Sequence, residues 1–168
     1  MEERNILCID LKSFFASVEC VDRRLDPFTT PLIVADPSRK GGAITLAVTP
    51  YMKSLGIPSR GRVFEIPKNI KYITAKPRMS LYVQKSKEVI NTFLDFVSKE
   101  DMHVYSIDES FLDVTDYLKL YKMDDVTLAK TIMNEITKRT GLTSTCGIGP
   151  NLLLAKVALD IESKHSPD

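Results

Sequence analysis

The stretch Ser106-Ile107-Asp108-Glu109-Ser110-Phe111-Leu112-Asp113 constrains this chain more than any other. Val104, Tyr105 and Ile107 precede its acids, and Phe111, Leu112 and Val114 follow them. β-formers around adjacent acids predict two short strands turning at or near Asp108-Glu109-Ser110. Two neighbouring carboxylates repel each other, and burial makes the repulsion worse. Such a tip must therefore hold a cation or stay in water. A further acid, Asp10, closes the strand-like run Asn5-Ile6-Leu7-Cys8-Ile9-Asp10. The expectation is that Asp10, Asp108 and Glu109 meet at one edge of a sheet and hold magnesium, which prefers oxygen ligands.

The remaining pattern places these acids in an alternating fold. Residues 5–10 are almost continuously apolar, as in a strand covered on both faces. Ser13 is placed to cap a helix through Val21, with Phe14, Val18 and Val21 on its buried face. Leu32-Ile33-Val34-Ala35 predicts a second strand, Ser38 to Gly42 a flexible basic loop, and Ala43 to Thr49 a third strand. Pro50 opens a short helix towards Leu55-Gly56, and Tyr72 to Ala75 predicts a short strand. An amphipathic helix is expected from Met79 to about Ser98, with Val83, Ile90, Phe93 and Val97 on one face. After the acidic hairpin come a helix from Val126 to Lys138 stopped by Gly141, a strand from Thr143 to Gly147, and a helix from Pro150-Asn151 to Ser163. With residues 13–78 set aside as a lobe, the order is that of a ferredoxin-like β-α-β-β-α-β unit. The fold class expected is α+β, an antiparallel sheet with helices on one face and a small inserted lobe.

Charge sharpens the picture where composition alone does not. The net charge of +1 hides a basic cluster of Arg39, Lys40, Lys53, Arg60 and Arg62 in a region poor in acids. A basic lobe beside an acidic pocket suits a polyanion held through metal. Cys8, Cys20 and Cys146 form no C-x-x-C pair and read as reduced thiols. No apolar run approaches the ~18–20 residues of a membrane span, and no signal-peptide pattern is present, so the expected location is cytoplasmic.

Three segments occur in order: Asp10-Leu11-Lys12-Ser13-Phe14-Phe15-Ala16-Ser17-Val18-Glu19, then Tyr105 to Asp113, then Gly147-Ile148-Gly149-Pro150-Asn151 with Leu154-Ala155-Lys156-Val157-Ala158. Together they closely resemble the Y-family translesion DNA polymerases, and most nearly the UmuC and ImpB–MucB–SamB branch. The resemblance implies a palm of residues 1–12 and 79–168 and fingers of residues 13–78, with the family's thumb and little-finger domains absent from this chain. It places Asp10, Asp108 and Glu109 on the catalytic, metal-binding acids, and Leu11 where the backbone approaches metal and triphosphate. It places Phe15 on the steric gate that rejects a ribose, with Ser13, Phe14, Lys53 and Lys156 among the nucleotide-binding positions. Read without the resemblance, Phe15 is core packing beside Phe14, and Lys156 an exposed helix residue pairing with Asp160 at i+4. The implied cofactors are two Mg2+ ions, with Mn2+ as a substitute. The implied partners are primer-template DNA and a deoxynucleoside triphosphate. A sliding clamp is expected for full-length members, but its docking region lies outside this chain.

The lobe departs from the family pattern. Many members present a Tyr and an Arg three residues apart to the triphosphate, and the corresponding positions here are Pro50 and Lys53. Proline donates no hydrogen bond, and lysine is a point charge rather than a planar fork. Leu152 also stands where many members have a lysine. His165-Ser166-Pro167-Asp168 falls where the palm would hand over to the thumb. The expected function is nucleotidyl transfer in error-prone DNA damage tolerance and the SOS response. Activity of this piece alone is expected to be very weak, since duplex affinity rests largely on neutralised phosphates. The alternative is an inactive remnant that acts as a folded binding module. A receiver domain or haloacid-type phosphatase fits poorly, because Asp10-Leu11-Lys12 lacks the Asp-x-Asp or first-strand acid pair these need.

Overall fold

A computed structural model describes residues 3–165, with side chains described at 3–39 and 42–161. The strands are β1 (Ile6–Leu11), β2 (Leu32–Val34), β3 (Ala47–Val48), β4 (Ile73–Ala75), β5 (Met102–Ser106), β6 (Glu109–Asp113) and β7 (Ser144–Gly149). The helices are α1 (Phe14–Asp22), α2 (Pro50–Ser54), α3 (Met79–Leu94), α4 (Tyr117–Tyr121), α5 (Asp125–Thr140) and α6 (Leu152–His165). The chain divides into two compact units, one running to Leu11 and resuming at Val83, the other spanning Lys12–Tyr82.

The first unit carries a four-stranded antiparallel sheet in the order β5-β6-β1-β7. The first strand lies between the third and fourth strands of this unit, which is the ferredoxin-like arrangement, and the chain is α+β. β1 is buried from Ile6 to Ile9 because both faces are covered. Ile9, Leu11 and Ser110 face α3 through Ser86, Val89, Ile90 and Phe93. Ile6, Cys8 and Phe111 face the other way and pack with Ala155 and Leu159 of α6. Helix α6, which follows the β-α-β-β-α-β pattern, therefore lies on the face opposite α3. Its close seating depends on glycine: a Cβ on Gly147 would come within 2.1 Å of the Leu159 nitrogen, and one on Gly149 within 2.5 Å of the Ala155 nitrogen. No side chain fits between these backbones.

The second unit holds a three-stranded sheet in the order β3-β2-β4, antiparallel on one side and parallel on the other. Its core is Ile33, Ala35, Val48, Met52, Ile57 and Ile66. Several local expectations change here. Ser38 to Gly42 is not an irregular loop but part of a 3-10 helix, Pro37–Gly42. Asp36 starts it by accepting from the Ser38 amide and hydroxyl at 3.0 and 2.7 Å, with Pro37 at the first position. The strand expected over Ala43–Thr49 shrinks to Ala47–Val48. Thr45 spends its groups on the 59–61 turn instead, donating from its amide to the Gly61 carbonyl (2.9 Å) and from its hydroxyl to Ser59 (3.1 Å). Thr49 caps α2 by accepting from the Met52 amide, with Pro50 at the helix start as expected.

The long helix ends at Leu94, short of the expected Ser98, and Phe93 and Val97 are buried as expected but Val83 is not. Tyr82, Ser86, Val89, Phe93 and Val97 are buried, whereas Val83 and Leu94 are exposed. Heptad-like spacing fits either stripe, and Tyr82 and Ser86 were missed as core because both carry a hydroxyl. Helix α4 was not foreseen: it has only five residues, and Asp116 at its N-cap makes no side-chain cap bond. Gly141 ends α5 at φ 76°, as its position predicts. The three cysteines are free. Among the described residues no helix is long and apolar enough to cross a membrane. Residues 166–168, where the resemblance would begin a thumb, lie outside the described residues.

Candidate active site

The acidic end of the first unit's sheet is set by strand register. Asp10 pairs with Glu109 across the β1–β6 ladder and with Thr145 across the β1–β7 ladder. Directly opposed residues on an antiparallel pair have Cβ atoms about 4.5–5.5 Å apart and share a face. Glu109, Asp10 and Thr145 thus form one row across three strands, on the face covered by α6. Asp108 occupies the turn between β5 and β6, and its carbonyl accepts from the Leu11 amide at 2.9 Å. The backbones bearing Asp10, Leu11, Asp108 and Glu109 therefore converge at one sheet end.

Their side chains are engaged by partners within the chain. Glu109 is only 9% exposed. Its Oε1 accepts from the Lys156 ammonium at 2.8 Å and from the Cys8 thiol at 3.3 Å. Lys156 also reaches Asp160 at 3.3 Å. Asp108 Oδ1 accepts from the Ser106 hydroxyl at 2.9 Å. Consequently, among the described residues no three carboxylate, thiol or imidazole groups are gathered into a set that could hold a metal ion. The register and the Leu11–Asp108 bond thus bring the backbones of Asp10, Asp108 and Glu109 together, while the Asp108 and Glu109 carboxylates bond to Ser106, Lys156 and Cys8.

Burial pushes the Cys8 thiol well above its usual range, and the hydrogen bond and charge of Glu109 add to this. Burial pushes the Lys156 ammonium down, but the bond and charge of Glu109, then those of Asp160, outweigh it and leave it raised. Lys156 is thus firmly charged and Cys8 firmly neutral. The donor chemistry still suits a hard divalent ion: carboxylates and a main-chain carbonyl at one sheet end, already drawing a cationic group. Beside them the buried Thr145 hydroxyl, in register with Asp10, has no hydrogen-bond partner among the described residues. An orphaned buried hydroxyl next to an acid calls for a polar ligand.

Four other sequence-predicted residues belong to the second unit. Ser13 precedes α1 at φ 46°, a conformation rare outside glycine, and its side chain does not cap the helix. Capping needs an extended backbone, which Ser13 lacks. The Ser17 hydroxyl instead donates back to the Lys12 carbonyl at 2.7 Å, tying the first turn to the residue that follows β1. Phe14 is buried, and Phe15, half-buried, stacks on Tyr82 with centroids 4.5 Å apart and planes 18° apart. Lys53 is exposed on α2. Beneath Phe15, Glu19 is fully buried and accepts from Tyr82 Oη at 2.5 Å and from Arg78 Nη2 and Nε at 2.5 and 3.2 Å. Arg23 joins it as well. This cluster was missed, although a Glu inside an apolar helical run is itself a signal for a buried cation partner. The Cys8–Glu109 contact was legible in principle, since Cys8 lies two residues from Asp10 and must share its face.

The model of the impB/mucB/samB family matches residues 9–160, which include both the β1–β6 acid pair and Lys156. The chain belongs to the impB/mucB/samB family. UvrX of Bacillus subtilis (strain 168), named for UV-damage repair, is 42% identical over 164 residues, covering 97% of this chain and 38% of its own. DNA polymerase IV 2 of the same organism is 32% identical over 170 residues, covering 99% of this chain and 40% of its own. Among solved structures, the Y-family DNA polymerase chimera Dbh-Dpo4(243-245)-Dbh superposes with a TM-score of 0.79 at 25% identity, over 94% of this chain and 46% of that one. The impB/mucB/samB fold seen here is thus that of the palm and fingers portion of Y-family polymerases. The chain spans less than half the length of these relatives.

Proposed function

We propose that the chain is the palm and fingers of a translesion DNA polymerase, with residues 1–12 and 79–168 as palm and 13–78 as fingers. The observation that carries this reading is the register of Asp10 with Glu109, with Asp108 in the adjoining turn. The reaction joins a primer 3′-hydroxyl to the α-phosphorus of a deoxynucleoside triphosphate and expels pyrophosphate. Asp10, Asp108, Glu109 and the Leu11 carbonyl would hold two Mg2+ ions. These supply charge stabilisation for the attacking hydroxyl and the departing pyrophosphate.

The chain's own groups do the rest. Glu109, buried and held by the Cys8 thiol, would present its carboxylate in the row it shares with Asp10. Lys156 offers a firmly protonated ammonium to phosphate oxygens. The Phe15 ring would exclude a 2′-hydroxyl by bulk, while Lys53 and the main chain at Ser13 and Phe14 would contact the nucleotide. Primer-template DNA is the polymeric partner, and template pairing selects the base. Proline at position 50 leaves the fingers one donor short of the common family pattern, which favours weak triphosphate grip.

Primer extension by this chain, with and without added Mg2+, tests the proposal. The expected result is slow, Mg2+-dependent incorporation of deoxynucleotides that Asp108→Ala abolishes without changing the fold. Metal-dependent nucleotide affinity equal in wild type and Asp108→Ala would count against these acids. Binding without extension would favour the second reading, a folded nucleotide-binding module.

A further inference from the structure

Lys156 is held in an unusual way for a surface helix residue. Its helix is seated against β7 through glycines, so the Lys156 Cα cannot move away from the sheet without breaking backbone packing. The ammonium, by contrast, ends a flexible four-carbon stem whose side chain is 36% exposed. It touches Glu109 Oε1 at 2.8 Å, and Asp160, one helical turn on and 57% exposed, waits at 3.3 Å. Glu109 keeps a second, neutral donor on the same oxygen, the fully buried Cys8 thiol. One donor to Glu109 is thus fixed, uncharged and internal. The other is charged, mobile at its tip, and has an alternative partner in water.

We infer that Lys156 is the resident counter-cation of Glu109, occupying the carboxylate until a divalent ion takes its place and then withdrawing towards Asp160. The inference rests on reading Asp10, Asp108 and Glu109 as the cation site. It assigns Lys156 a positioning role towards the acids, separate from any contact with phosphate. Three features carry it. An almost buried carboxylate needs a positive partner at all times. The ammonium is a compact point charge that can leave in one side-chain rotation, as a planar guanidinium fork could not. Glu109 does not collapse when Lys156 leaves, because Cys8 still orients it.

The test uses the whole chain and Mn2+ as probe, with free Mn2+ read by electron paramagnetic resonance. Lys156→Met and Lys156→Gln should each bind Mn2+ about three- to tenfold more tightly than wild type, because the competing cation is gone. Asp10→Asn should bind it far more weakly. A second readout separates displacement from simple charge repulsion: Mg2+ should accelerate reductive methylation of Lys156 several-fold, with Lys87 on the exposed side of α3 as the unaffected reference. The inference is overturned if both Lys156 variants bind Mn2+ no more tightly than wild type while Asp10→Asn loses binding. It is equally overturned if Mg2+ leaves Lys156 methylation unchanged. Mn2+ affinity equal in wild type and Asp10→Asn would instead bring down the assignment of the acids, and the inference with it.

Discussion

Glu19 and Glu109 are both buried glutamates paired with basic side chains, yet they are built for opposite purposes. Glu19, with no exposed side-chain surface, receives Arg78 through two nitrogens, Arg23, and the Tyr82 hydroxyl. Guanidinium forks and a phenol saturate it, so exchange with a solute would break several bonds at once. Glu109 has a single ammonium and a thiol, both on one oxygen, at the end of a sheet. Burial alone therefore does not separate a structural glutamate from the one proposed to hold metal. What distinguishes Glu109 is the kind of partner it has: a single ammonium on a flexible stem, which we take to be exchangeable for a divalent ion. Glu19 instead ties α1 to the segment that opens α3, and orients Tyr82 beneath Phe15.

The comparison is broken most severely by removing the platform on which Lys156 stands. Gly147→Val places side-chain atoms where the backbone of Leu159 already lies. Detachment of α6 and loss of cooperative folding are expected, read as a lost near-UV circular dichroism signal. Glu19→Ala leaves the buried Tyr82 hydroxyl without its acceptor and Arg78 with Asp22 alone, and should cost about 3 kcal/mol in urea unfolding. Tyr82→Phe keeps the stacked ring and loses only its bond to Glu19, for about 1–3 kcal/mol. Glu109→Gln, at the exchangeable site, should change stability by less than about 1 kcal/mol while Mn2+ affinity collapses. A large loss of stability in that last variant would erase the contrast with Glu19.

Acid titration sharpens the same contrast at smaller scale. Burial pushes the Glu19 carboxyl up, but the bonds from Arg78, Tyr82 and Arg23 outweigh it and hold the group below its ordinary value. A depressed folded value means the stabilisation is complete above the ordinary carboxylate range and is lost as pH falls through that range towards the folded value. Urea midpoints measured from pH 7 down to pH 3 should therefore fall more steeply for wild type than for Glu19→Gln. Parallel slopes would show that Glu19 gains nothing from its partners. Asp113, also depressed, because bonds from Thr115 and then Arg4 outweigh its burial, contributes equally to both proteins and cancels.

The sheet was legible because its signals are local. The apolar run ending at Asp10 and the acid pair inside β-formers fix β1 and the β5–β6 turn without tertiary information. The row of Asp10 with Glu109 follows once the strands are adjacent, because side chains alternate. What stayed hidden depends on contacts distant in sequence. Lys156 looked like an i+4 partner of Asp160, and it is one, but its stronger engagement crosses to β6. Glu19 lies 59 residues from Arg78, a pairing no periodicity encodes. Ser13 has the residue type of a cap and the backbone of none, since its left-handed conformation is invisible to composition.

Cys8 gives this chain a native reporter. Its thiol is fully enclosed by β1, β6 and α6, and its ionisation is driven to alkaline conditions. Because only a thiolate attacks electrophiles at useful rates, alkylating reagents reach it when α6 lifts from the sheet and not before. The labelling rate of Cys8 thus clocks the opening of the acidic row itself, with no introduced probe.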